Sequence, residues 1–302
     1  MSQAQAKSSW RQEFEDVLRG IAGAFLFGVP LLYTMEVWWI GSHIGPARML
    51  VGLALTYLAL IAINRTTGFR QQRGTSFWRS LSDSAEALAI GLVVAALSLL
   101  LIRRLTSDMA LDTALGLIAL ESIPFSIGVG IAGGLLDRGG GDDDEKDSDD
   151  DDEDAAQAAT KDREQSSEPL WRETLADAGA TALGAIIVAF SIAPTDEVPM
   201  IASALAPFEL LVMVAASLVI SYIIVFQAEF GNQNSRQNHR GLFQSPLSET
   251  VASYLIALLM SLIMLVFFKH LPIDAPFSQW LTYAITLGLP AAIGGAAGRL
   301  AI

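Results

Sequence analysis

Four glutamates stand where an ionised group is expensive. Glu36, Glu121, Glu197 and Glu209 fall inside or at the edges of long apolar runs from which Lys and Arg are largely excluded. Carboxylates in such surroundings are usually functional, because hydrocarbon cannot solvate them. A group of them attracts cations and can bind or relay protons. Glu121 is the deepest, about nine residues or roughly 13 Å into its run by helical rise. Glu36, Glu197 and Glu209 lie nearer one end of theirs, where hydration in the headgroup zone is the plainer alternative.

A second chemical pattern is helix disruption. Pro124 with Gly128 and Pro290 with Gly294 recur at matched places in two of the runs. Proline frees a backbone carbonyl and glycine admits a close neighbour, so these positions predict kinked or interrupted helices. Breaks at corresponding places of two halves point to a transport site. Glycine-mediated helix packing is the competing explanation. Glu121 precedes Pro124 by three residues and shares its face, whereas its counterpart in the second half is Leu287.

The elements that must hold these residues follow from hydropathy and charge. The chain has 302 residues, 52% of them apolar, a net charge of −13 and a mean hydropathy of +0.44. Between Asp137 and Glu168 there are 15 acids and four bases, which leaves about −2 on the other 270 residues. An ordinary soluble domain is excluded by apolar runs of membrane length. Nucleic-acid binding lacks a basic footprint, and without cysteine there is no disulfide, thiolate metal site or thiol nucleophile.

Eight runs read as transmembrane helices, at about 20–40, 48–64, 84–102, 112–135, 175–193, 207–228, 248–268 and 279–300. The expected fold is therefore an all-α polytopic membrane protein in the lipid bilayer. Fifteen of the 19 Lys+Arg fall on the side that holds both termini, which places those termini in the cytoplasm. The two halves also repeat. Trp10-Arg11 and Thr34-Met35-Glu36-Val37 meet Trp171-Arg172 and Thr195-Asp196-Glu197-Val198 at an offset of 161. Leu81-Ser82-Asp83 meets Leu247-Ser248-Glu249 at 166, as Pro124 and Gly128 meet Pro290 and Gly294. Two parallel four-helix repeats are expected at 1–136 and 170–302. Residues 137–169 form an acidic joint whose composition predicts disorder.

Two other motifs carry little. Gly128-Val129-Gly130-Ile131-Ala132-Gly133 fits a dinucleotide fingerprint, but within a membrane helix rather than a strand–helix turn. His43, His239 and His270 fall in separate loops on both sides and cannot share one zinc ion. No hydrolase or phosphate-loop pattern is present, so neither an enzyme nor a cofactor is expected; a metal role stays open.

The Trp-Arg-x-Glu start, Thr34-x-Glu36-Val37, Leu81-Ser82-Asp83 and the Pro-x-x-Ile-Gly elements together resemble an uncharacterised bacterial family of integral membrane proteins with no assigned activity. That resemblance implies the membrane fold and lends no site residues. The functional expectation is a transporter or channel for a small cation, protons included, between the halves. A membrane scaffold or sensor acting through partners is the alternative, and homo-oligomer formation stays open.

Overall fold

The computed structural model describes residues 3–66, 77–137, 170–227 and 246–300. The acidic joint beyond residue 137 and the polar 231–244 loop lie outside them. Among the described residues the fold is all helix: α1 (Gln3–Leu32), α2 (Met35–His43), α3 (Pro46–Thr66), α4 (Phe77–Leu101), α5 (Leu111–Asp137), α6 (Leu170–Ile192), α7 (Glu197–Ala204), α8 (Pro207–Tyr222), α9 (Pro246–Phe267) and α10 (Phe277–Leu300). A single π turn, Ile223–Gln227, continues α8. Seven helices are long and apolar enough to cross a bilayer, and α1 with α2 is a candidate eighth span bent by 91°.

That bend corrects the expected straight first span at 20–40. The apolar part of α1 ends at Leu32, and the chain turns through Tyr33 and Thr34 into a nine-residue helix. Pro30 lies just before the break and removes a ladder hydrogen bond from the last turn of α1. At its other end α1 extends back to Gln3, well beyond the apolar run. The fifth run is one helix, α6, ending at Ile192 as expected, and a short helix, α7, begins beyond it at Glu197, after Pro194. Helices α5 and α10 continue through Pro124 and Pro290. The change of direction thus falls in the first run, and the fourth and eighth stay helical.

Two helices are central. Of the apolar stretch of α10, 72% is buried, and of α5 56%, against 11% for α3. α5 is packed by α1, α2, α3 and α4, while α10 is packed by α6, α7, α8 and α9. Water is expelled from neither lipid-facing surface, so tight packing of small residues must hold these helices together. Gly128 sits against the Gly23 backbone, and Gly294 against that of Gly184. The outward surface is apolar: Leu50, Leu55, Leu183, Ile187 and Leu259 are all exposed, as the lipid requires.

Helix ends are closed from within. Arg103 and Lys269 adopt left-handed φ values of 62° and 63° after α4 and α9. Behind them Arg104 N–H donates to the Leu99 carbonyl at 2.8 Å, and His270 N–H to that of Leu265 at 3.0 Å. Such caps satisfy carbonyls that hydrocarbon would leave unbonded. Buried hydroxyls turn back on their own helices, with Ser84 donating to Ser80 O at 2.6 Å and Thr250 to Pro246 O at 2.8 Å.

Gly128→Val forces a branched side chain into the Gly23 backbone, which cannot yield as a flexible side chain would. It is expected to lower stability by about 1–3 kcal/mol, read as an earlier thermal transition in detergent. Gly179→Ala, at an open helical position, is expected to raise stability by up to ~1 kcal/mol.

Candidate functional site at the break between α1 and α2

The break leaves backbone groups to be satisfied, and side chains do it. Thr34, extended at φ −128°, makes no side-chain cap to α2. Its carbonyl accepts Val37 N–H at 3.1 Å. The Trp38 indole N–H donates to the Leu32 carbonyl at 2.9 Å, folding α2 back over the end of α1. The first amide of α2, Met35 N–H, donates to Glu197 Oε1 at 3.1 Å. A carboxylate from the second half of the chain therefore sits at the positive end of a helix in the first half, where the dipole favours it. Glu197 is only 6% exposed, and its Oε2 has no hydrogen-bond partner among the described residues.

Glu121 reaches the same place from α5. One turn before it, Leu117 packs against Gly41 of α2, 3.2 Å from where a β-carbon there would stand. One turn after it, the Phe125 ring sits against Gly28 of α1. Glu121 lies between these two contacts on one stripe of the helix and hence opposite the break. It is 1% exposed, and neither carboxyl oxygen has a hydrogen-bond partner among the described residues. The side chain that approaches it is Trp38. Above Trp38, the Arg104 guanidinium lies 4.3 Å from the indole ring centre. Burial lowers the Arg104 pKa from its ordinary value, as desolvation of a cation must.

The four glutamates thus divide. Glu121 and Glu197 converge on the first turn of α2, one at Trp38 and the other at Met35. Glu36, in that same turn, is exposed. Glu209 is engaged elsewhere, its Oε2 accepting Ala206 N–H at 2.7 Å and its Oε1 pairing with Arg103 at 3.0 Å. The Pro124/Gly128 and Pro290/Gly294 pairs serve as packing positions on continuous helices. Among the described residues no three His, Asp or Glu side chains are grouped to hold a metal ion.

Several participants escape a reading of the sequence. Trp38 reads there only as an interfacial aromatic, and Arg104 only as a loop charge. Tyr33 donates its hydroxyl to the Thr286 carbonyl of α10 at 2.8 Å, joining the halves just beside the break. Tyr254, near Tyr33, approaches Ser217 of α8. Pro30 followed by Tyr33-Thr34 is the one local signal that could have revealed the break. At the opposite end of the bundle, Arg19 pairs with Asp16 at 2.6 Å. There too Arg299 pairs with Glu249 and lies 3.9 Å from Asp177.

One family profile, described as "Putative integral membrane protein (DUF2391)", matches residues 16–302. The chain belongs to this family. The match spans both halves and includes all four glutamates, Trp38 and Arg104. No curated protein and no solved structure matches the chain. The family description names a membrane location and no reaction, so the chemistry of the site rests on its geometry.

Glu197→Ala removes the acceptor at the start of α2 and is expected to lower stability by about 0.5–2 kcal/mol. Glu36→Ala, exposed in the same turn, is expected to shift it by less than about 0.5 kcal/mol. Thermal unfolding of the two variants in the same detergent distinguishes the roles.

Proposed function

We propose that this protein is a transporter or channel for a small cation, moving it along the junction of two four-helix repeats in a bacterial inner membrane. The observation that carries the reading is Glu121. Its carboxyl is buried at the turning point of a broken helix, without an ion pair or a hydrogen bond to its oxygens among the described residues. Nothing in the packing of α5 needs an acid there, since the matched position of α10 is the equally buried Leu287. A group that hydrocarbon penalises so strongly and packing does not require is best explained by what it binds. Glu197, with one oxygen on Met35 N–H, supplies a second carboxylate at the same turn.

Duplication is supported by contacts as well as by letters. The Gly23–Gly128 crossing matches the Gly184–Gly294 crossing at offsets of 161 and 166. The left-handed caps at Arg103 and Lys269 match at 166. So do the turns that follow, Met109 N–H to Thr106 O at 3.2 Å and Ala275 N–H to Pro272 O at 3.1 Å. A seam between such units, crossed by Tyr33–Thr286 and Met35–Glu197, is where alternating access is commonly built. The arginine-rich side, with both termini, faces the cytoplasm by the charge bias, and the glutamates face outward. The protein acts as a conduit rather than a catalyst.

Purified protein in liposomes is expected to pass at least one of a panel of cations comprising protons and monovalent and divalent metal ions, and Glu121→Gln is expected to reduce that flux to the level of protein-free liposomes. Absence of flux for the whole panel would overturn the reading in favour of a scaffold or sensor working through partners. Flux unchanged by Glu121→Gln would relocate the site and keep the conductor.

A further inference from the structure

We propose that the cation bound at Glu121 is a proton. This rests on the reading of the chain as a cation conductor and names what it carries. A metal ion that leaves water must regain its ligands. Calcium takes six to eight oxygens, and magnesium insists on an octahedron. Among the described residues the turn opposite Glu121 supplies one further carboxylate, Glu197, with one oxygen already on the Met35 amide, which is far short of such a shell. The Glu121 stripe of α5 continues into Leu117 and Phe125, which pack on Gly41 and Gly28. The polar side chain that approaches is the Trp38 indole, whose N–H is a donor and cannot ligate a cation. Ser122, next in sequence, donates its hydroxyl to the Ala119 carbonyl at 2.8 Å, and one hydroxyl oxygen does not complete a metal's shell. Ser126 lies on the contact with Gly91 of α4.

A proton asks for none of these ligands. It bonds to one carboxylate oxygen and takes the side chain from −1 to neutral. That removes the penalty of an unpaired charge in apolar surroundings. Release returns the proton to water and the charge to Glu121.

Charged neighbours do not take over that task. On α1, the Tyr33 hydroxyl is donated to Thr286. On α2, Glu36 is exposed, and the amide at Met35 is held by Glu197 from α7. The α4–α5 connection brings Arg104, held over the Trp38 ring, and Arg103, paired with Glu209. The charges of α3, Arg48 and Arg65, are exposed near its two ends. Asp83 and Glu86 lie in the first turns of α4, below the level where Gly91 meets Ser126. Arg104 lies over the Trp38 ring and Trp38 approaches the carboxyl; at 1% exposure the carboxyl has no room for a metal ion with its water shell, whereas a proton needs none.

Two measurements on the full chain test this. In liposomes loaded with a pH-sensitive dye, wild type is expected to dissipate an imposed pH gradient. Glu121→Gln is expected to leave the gradient standing, and Asp274→Asn, exposed in the α9–α10 loop, to behave as wild type. Parallel arms with Na+, K+, Mg2+ and Ca2+ and no pH gradient are expected to show no flux. Metal flux without proton flux overturns the proton and keeps the conductor, whereas no flux of any kind overturns the conductor. Independently of flux, infrared difference spectra between high and low pH are expected to show the carbonyl band of a protonated acid that Glu121→Gln lacks and Glu121→Asp shifts. A spectrum without that band, or one identical in all three proteins, overturns the proton-binding site itself.

Discussion

Everything in this molecule depends on how closely α1 can approach α5. At Gly23 and Gly128 the two helices touch backbone to backbone, a spacing that no side chain permits. In a membrane this contact replaces the hydrophobic effect as the source of cohesion, because lipid tails are as apolar as leucine. It also fixes register. With Gly128 on Gly23 and Phe125 on Gly28, the antiparallel pair carries Glu121 to the level where α1 stops. The bend is thus aligned with the carboxyl by packing two turns away from it.

The charges in the fold obey a simple division by depth. Near the end where α1 begins, Arg19 is 2% exposed yet paired with Asp16, and Arg299 pairs with Glu249. Such pairs offset the desolvation that each ion would suffer alone. Near the other end, Arg103 and Glu209 pair across the two halves. Glu121 lies between these layers, and its carboxyl has neither kind of compensation among the described residues. Glu197 stands halfway, with one oxygen on the Met35 amide and the other unbonded. The gradient from paired to half-satisfied to unsatisfied separates charges that hold the fold from one that stores a cost within it.

Much of the architecture was legible because transfer into lipid is a property of segments. Seven of the eight expected runs coincide with helices to within several residues: 112–135 with Leu111–Asp137, for example, and 279–300 with Phe277–Leu300. The first run misled because hydropathy measures how apolar a stretch is and says nothing of its direction. A 91° turn inside it changes no residue's polarity. Pro124 and Pro290 do not interrupt their helices. Proline removes a single ladder bond, and a helix packed on all sides tolerates that loss.

The sequence by itself determined that this chain lives in a membrane, how many apolar runs it has, and which few acids those runs contain. Those properties are local, summed over about 20 residues at a time. Only the tertiary structure decided what each acid does. Glu209 found Arg103 some 106 positions away, and Glu197 found the Met35 amide 162 positions away. Glu121 found the Trp38 ring and no charge among the described residues. Whether a buried carboxylate is paired depends on what packing brings beside it, and no spacing along the chain encodes that.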